Sequence, residues 1–294
     1  MATLAISKKF KANHGSAGIR NSEFRVEISF KSSMINGFIG GIDYDIPKKR
    51  LTELLDSLDN QYVDDIVGRA TNENIALYLL NELSDIPIDS IKLYENDEQY
   101  VEISRSEIDF DNFPALLRFN KAQSFLLRCM PEKAIQELNK SLEIKPDSAE
   151  AYNLRGRCQK YLGKYDLALP DYLKAIQIKP DFAEAHRNLG NAYYYLEMTD
   201  LMIPAFSKAI ELMPKSALAY NNRGFAYQKL SKFELALRDH NRAIEIDPNY
   251  AEAYNDRAVA YEALGEKDFA EKDRCKANEL LASGKNSYSG IFMY

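Results

Sequence analysis

A proline recurs every 34 residues through the second half of the chain, at Pro146, Pro180, Pro214 and Pro248. Gly156, Gly190 and Gly224 keep the same interval, and so do Ala175, Ala209, Ala243 and Ala277. A fixed period of this length constrains the fold more than any other feature, because a unit so short buries its apolar face only against copies of itself. The segments LEIKPDSAEAY, IQIKPDFAEAH, IELMPKSALAY and IEIDPNYAEAY are four versions of one junction. Each reads as a helix end, a proline that cannot continue it, and the start of the next helix.

Placing the proline at position 32 gives units at 115–148, 149–182, 183–216, 217–250 and 251–284. Within a unit, apolar residues at spacings of three and four fall on both sides of a small or polar turn, Leu162-Gly163-Lys164 in the second unit. Gly156 and Ala168 stand where two helices of a hairpin cross closely, and Tyr152 and Tyr172 supply the bulk around them. This pattern resembles the tetratricopeptide repeat (TPR), which implies an all-α solenoid of five helical hairpins over residues 113–284, with a tail at 285–294. The end units depart from the pattern, as units without a neighbour on one side must. The first has Arg118 for the early aromatic and Ala122 for the glycine; the last has Ala258 for the glycine, Arg274 for the late aromatic and no closing proline. In the third unit Met202 occupies a small position and is expected to loosen that hairpin.

Residues 1–112 lack the period. ATLAISKKFKA and FRVEISF read as strands, the latter alternating as Phe24, Val26, Ile28 and Phe30. PKKRLTELLDSL and NENIALYLLNEL have helical spacing, with Thr71 or Asn72 as a cap, and SIKLYEN and QYVEIS read as a closing hairpin. The order is β-β-α-α-β-β, and SRSEIDFDNFP is the junction to the helical part, with Pro114 opening its first helix.

This order and several short patches resemble the 6-pyruvoyl/6-carboxy-tetrahydropterin synthase family of the T-fold superfamily. The patches are Phe10-Lys11-Ala12-Asn13-His14, Gly41-Ile42-Asp43-Tyr44, Leu58-Asp59-Asn60-Gln61-Tyr62-Val63-Asp64, Thr71-Asn72-Glu73-Asn74 and Leu93-Tyr94-Glu95. The resemblance implies an α+β domain that joins with its copies edge to edge, and a pterin- or purine-like ring anchored by Glu95 and helped by Thr71. It also shows what is missing. The family holds zinc with three histidines; here His14 is matched, but Arg20 and Ser22 stand at the other two positions. Arginine does not ligate a cation, and one imidazole falls short of the three protein ligands of a catalytic zinc site. The cysteine expected between residues 13 and 22 is absent, and Asn60 stands where the family has an acid/base histidine. The expectation is a domain without the lyase chemistry, without catalytic residues, and with no metal or other cofactor.

In the repeats, the positions that TPR arrays turn toward a ligand groove carry Asn120, Arg157, Arg187, Asn188, Asn191 and Asn222. Amides one repeat apart can donate to and accept from an extended peptide backbone, and the arginines can engage a carboxylate. Glu252 and Asp256 stand where a full clamp for a C-terminal carboxylate would need cations.

The chain has 294 residues and a formal net charge of −6, so it offers no general basic surface for nucleic acid. It has no apolar run long enough to span a membrane, and MATLAISKKFK lacks the apolar core of a secretion signal, which points to the cytoplasm. Cys129, Cys158 and Cys275 have no metal-ligand spacing and are expected to be buried thiols. The reading that follows is a non-catalytic, homo-oligomeric scaffold or adaptor that binds protein segments in its repeat groove. The alternatives are a pterin- or purine-binding sensor or synthase-like enzyme with a TPR recruitment module, and a self-assembling protein whose grooves bind its own tails.

Overall fold

The computed structural model describes residues 2–4, 9–14, 20–30, 49–54, 72–83, 88–94, 100–104 and 112–286. The chain divides into two compact units, 1–147 and 148–294.

The first unit is built on an antiparallel sheet of β1 (Ala2–Leu4), β2 (Lys9–His14), β3 (Arg20–Phe30), β4 (Ile88–Tyr94) and β5 (Tyr100–Ser104). The long strand β3 is central. β1 and β2 pair along one of its edges, at Ile28–Phe30 and Arg20–Arg25, β4 takes the other edge, and β5 adds to β4. The alternation of FRVEISF registers on this frame, with Val26 opposite Leu93 and Ile28 opposite Ile91. Val26, Ile91 and Leu93 are fully buried, as are Leu51 of α1 (residues 49–54) and Ile75, Ala76 and Leu79 of α2 (Asn72–Glu82). α2 packs on β4 and β5, and Arg50 ties the helices by donating to the Glu82 carbonyl at 3.0 Å. Lys92 and Glu102, cross-strand neighbours, pair at 3.2 Å.

The same unit includes the first helical hairpin, α3 (Phe113–Leu127) and α4 (Pro131–Ile144). The 34-residue period is absent before residue 113, yet α3 touches α2, so compactness groups this hairpin with the sheet. Glu137 locks the hairpin, accepting from Arg118 at 2.8 Å and from Lys140 at 3.2 Å. Burial opposes its charge, but these two bonds hold its carboxyl below the usual range.

The second unit is a run of four hairpins: α5 (Ala149–Tyr161) with α6 (Tyr165–Ile178), α7 (Ala183–Tyr195) with α8 (Thr199–Leu212), α9 (Ala217–Lys229) with α10 (Phe233–Ile246), and α11 (Ala251–Ala263) with α12 (Lys267–Ala282). Successive first helices α5, α7, α9 and α11 touch one another, and each second helix also packs on the next first helix. The result is a helical solenoid. Two first helices are capped by serine, Ser148 accepting from the Ala151 amide and Ser216 from the Ala219 amide. The turn inside each hairpin passes through one left-handed residue: Gly163, Glu197, Ser231 and Gly265, with Cys129 its counterpart in the first hairpin. Only the two glycines adopt that conformation without strain.

Hairpin spacing is set by a small residue facing a large one. A Cβ on Gly156 would lie 2.7 Å from the Tyr172 ring, on Gly190 2.5 Å from Phe206, and on Gly224 2.7 Å from His240. Met202 does not loosen its hairpin. It is fully buried against Phe206 and Ala226, because its flexible thioether fills the space that a small residue would leave.

Candidate functional site

Three kinds of side-chain structure involve the first helices of the second unit. The first is a set of amide links between consecutive repeats. Asn188 Nδ2 donates to Asn153 Oδ1 at 2.9 Å, Asn222 Nδ2 to Asn191 Oδ1 at 3.0 Å, and Asn221 Nδ2 to Asp256 Oδ2 at 2.7 Å. Asn188 is 2% exposed, so its amide holds two helices together and is not open to a ligand. Asn191 and Asn222 are half-buried.

The second is a clasp within three of the four repeats of this unit, which the sequence reading missed. Arg155 forks onto Asp171, Arg223 onto Asp239 and Arg257 onto Asp273, with both bonds of each pair between 2.6 and 2.8 Å. Each guanidinium also lies over a tyrosine of its own helix, Tyr152, Tyr220 or Tyr254. The signal was present as arginine and aspartate 16 residues apart, recurring with the repeat. Leu189 and Ala205 occupy these positions in the third repeat and pack together with apolar neighbours.

The third is charge, segregated along these helices. At one end Arg157 and Lys160 of α5 meet Arg187 of α7, with Glu184 as the neighbouring carboxylate, 3.3 Å from Arg157. Desolvation, then repulsion from Arg187 and Arg157, brings the Lys160 ammonium down to about 8. Desolvation also lowers the Arg187 guanidinium. At the other end stand Glu252 and Asp256. Burial raises both, with Asp256 brought up to about 7 against the hydrogen bond from Asn221. His240, fully buried, bonds through Nδ1 to Asn221 Oδ1 at 2.7 Å and is kept neutral, its desolvation drawing it down to about 3. His240, Asn221 and Asp256 thus form one polar chain across two repeats.

Comparison with known proteins identifies the repeats that carry this arrangement. Profiles described as TPR or tetratricopeptide repeat match residues 160–196, 183–216, 217–250 and 241–272. These segments are tetratricopeptide repeats. Solved structures resemble part of the chain: a MamA chain is 26% identical with a TM-score of 0.50, covering 56% of this chain and 96% of its own. MamA of Desulfovibrio magneticus is 22% identical with a TM-score of 0.53, covering 58% and 96%. A thermophilic TPR protein of Thermus thermophilus is 19% identical with a TM-score of 0.50, covering 56% and 91%; the last two likenesses speak to fold alone. A 58 kDa phosphoprotein of Plasmodium berghei is 30% identical over 109 residues, 36% of this chain, and the chain spans 24% of that relative's length.

Of the sequence-derived groove residues, Arg157, Arg187, Asn188, Asn191 and Asn222 lie on the first helices of the TPR solenoid, and Asn120 lies on α3 of the first unit. Thr71 and Glu95, the ring-anchoring candidates, lie outside the described residues, as do the tail residues 287–294. The cysteines differ from expectation. Cys158 is buried and its thiol is pushed up to about 12, but Cys129 and Cys275 are exposed, one at the left-handed turn of the first hairpin and one on α12. Among the described residues no group of three or more histidines, cysteines and carboxylates could hold a metal ion, and no helix is long and apolar enough to cross a membrane.

Proposed function

We propose that this chain is a non-catalytic scaffold or adaptor whose TPR face binds an extended protein segment. The observation that carries the reading is the charge segregation along a face stiffened by inter-repeat amide links, with Arg157, Lys160 and Arg187 at one end and Glu252 and Asp256 at the other. A preordered face lowers the entropic cost of capturing a flexible segment, and its two ends select the direction in which the segment lies. The five repeats from 115 to 284 act as the recognition module. In this reading residues 1–112 form a T-fold domain that assembles the chain into a homo-oligomer, supported by the resemblance of its patches and by the antiparallel sheet of the described residues.

The test is selection from an unbiased peptide display library on the full chain, followed by affinity measurement on two variants. Asn191→Arg with Asn222→Arg blocks the first-helix face; Leu167→Asp with Leu201→Asp alters exposed residues of the second helices. Selected peptides lose binding to the first variant and keep it to the second. The reverse pattern rejects the reading. A second reading, a pterin or purine sensor, rests on the resemblance at Glu95 and Thr71. It requires thermal stabilisation by a pterin or guanine compound that Glu95→Gln removes.

A further inference from the structure

Each second helix of the second unit opens on an apolar residue that its own hairpin does not bury. Leu167 of α6, Leu201 of α8, Leu235 of α10 and Phe269 of α12 recur at the 34-residue interval, in the first turn of their helices. Leu167 is 48% exposed, Leu201 43% and Phe269 56%, while Leu235 is half-buried. In the first hairpin the same place holds Lys133. Equivalent positions of a solenoid line up along it, so these residues form a row. The row is densest at the second and third repeats, where Tyr195, at the end of α7, and Met198, just before α8, are also exposed. The Tyr195 ring stacks on Tyr165 of α6 at 4.1 Å, which joins the edges of the two hairpins. Single exposed apolar residues are ordinary, but a row bridged by a ring stack is a patch.

Charge accompanies the patch. Residues 162–169 and 196–203 carry the carboxylates Asp166, Glu197 and Asp200 against one cation, Lys164. All three carboxylates are exposed, and none forms an ion pair among the described residues. An acid in the first turn suits the helix dipole, which accounts for Asp166 and Asp200 but not for the leucines beside them. We propose that the edge formed by Leu167, Tyr195, Met198 and Leu201 docks a basic amphipathic helix of a partner protein. Packed helices such as the successive first helices stand about 8–10 Å apart, and seven residues of α-helix advance about 10 Å. A helix with an apolar face therefore meets Leu167 and Leu201 once per heptad. An extended segment covers that distance in about three residues, whose first and last side chains point to opposite sides. A second copy of the chain would set the same acidic edge against itself, so the charge selects a basic partner. This surface lies on the second helices and the hairpin turns, and its occupant is separate from the segment assigned to the first-helix face.

The experiment uses the full chain and fluorescein-labelled three-heptad peptides read by anisotropy. The probe has leucine at the first and fourth places of each heptad, lysine at the places flanking them and alanine elsewhere. One comparator replaces its lysines by glutamate, and another breaks the helix with two central prolines. The wild type binds the probe about tenfold or more tighter than either comparator. Leu167→Ser with Leu201→Ser, both at exposed positions, removes about tenfold or more of that affinity and keeps the display-selected peptides, which serve as its control for folding. Asp166→Asn with Asp200→Asn weakens the probe several-fold, and less so at high salt. Asn191→Arg with Asn222→Arg leaves it bound. Equal affinity for the glutamate or proline comparator overturns the proposal, and so does a probe that the serine variant binds as tightly as wild type. No binding of the probe to the wild type overturns it too; if the wild type then forms a larger assembly in sedimentation than the serine variant, the occupant is a second copy. None of these outcomes bears on the segment-binding reading, which the display-selected peptides test.

Discussion

Asn188 donates to Asn153 across 2.9 Å, and with this one bond two neighbouring first helices share an otherwise buried pair of amides. Removing the donor leaves Asn153 Oδ1 buried without it. Asn188→Ala is therefore expected to destabilise the protein by about 1–3 kcal/mol, while Asn222→Ala, at a half-buried bond, costs about 0.5–1.5 kcal/mol. Urea denaturation of the full chain measures both; equal, negligible losses would show that the amide links do not hold the repeats together.

The third repeat shows how to replace the arginine–aspartate clasp. Asp239→Ala alone leaves the Arg223 guanidinium without its carboxylate, with Ser207 Oγ as its remaining hydrogen-bond partner, and is expected to cost about 3 kcal/mol. Arg223→Leu combined with Asp239→Ala reproduces the Leu189 and Ala205 pair of the third repeat and is expected to recover most of that loss, because the hydrophobic pair carries no desolvation penalty. A double variant as unstable as the single one contradicts this.

Stability near neutral pH is expected to reflect two opposed titrations. The Asp256 carboxyl rises from 3.8 to about 7 on folding, so between those values the folded state holds a proton that the unfolded state releases, and stability falls as pH rises. His240 drops from 6.5 to about 3, so the unfolded state takes up the proton and stability falls as pH is lowered through the same window. Measured against wild type by urea midpoint, Asp256→Asn gains ground from pH 4 to pH 7.5, and His240→Phe gains it from pH 7 to pH 4. Parallel pH profiles for wild type and both variants would refute the assignment.

Ser231 and Glu197 occupy the left-handed turn position with φ of 57° and 58°, where Gly163 and Gly265 sit in neighbouring repeats. Ser231→Gly and Glu197→Gly are each expected to stabilise by about 1 kcal/mol, the cost of that conformation for a residue with a Cβ. Gly163→Ala should lose a similar amount. Thermal midpoints of the three variants check the sign.

Local signals carried the helical half of the fold. The recurrent prolines, glycines and alanines are sequence-near consequences of helix ends and close crossings, so the five hairpins and their turns are legible in the sequence. The recognition face was only partly so. Helical position brought Asn188 and Asn222 to the correct side, but whether an amide faces a ligand or another amide depends on the neighbouring repeat, here Asn153 and Asn191. Burial was the missing quantity for Lys160 and Tyr172, two residues that look ordinary in a list of apolar and basic positions. The clasp was readable at a spacing of 16, yet a search for small and aromatic residues passes over it. Cys129 was misjudged because a thiol counts as a small hydrophobe by type, while its place in a tight turn puts it in water.

The small-against-large pairing has one more consequence. Gly156 with Tyr172, Gly190 with Phe206 and Gly224 with His240 keep a common geometry while the ring changes from phenol to phenyl to imidazole. Hairpin separation and chemical identity are therefore independent variables in this array. The floor of the face can be re-lettered one repeat at a time, with a proton donor under the second repeat, a mute hydrocarbon under the third and a neutral base under the fourth, and the frame that presents these letters stays as it is.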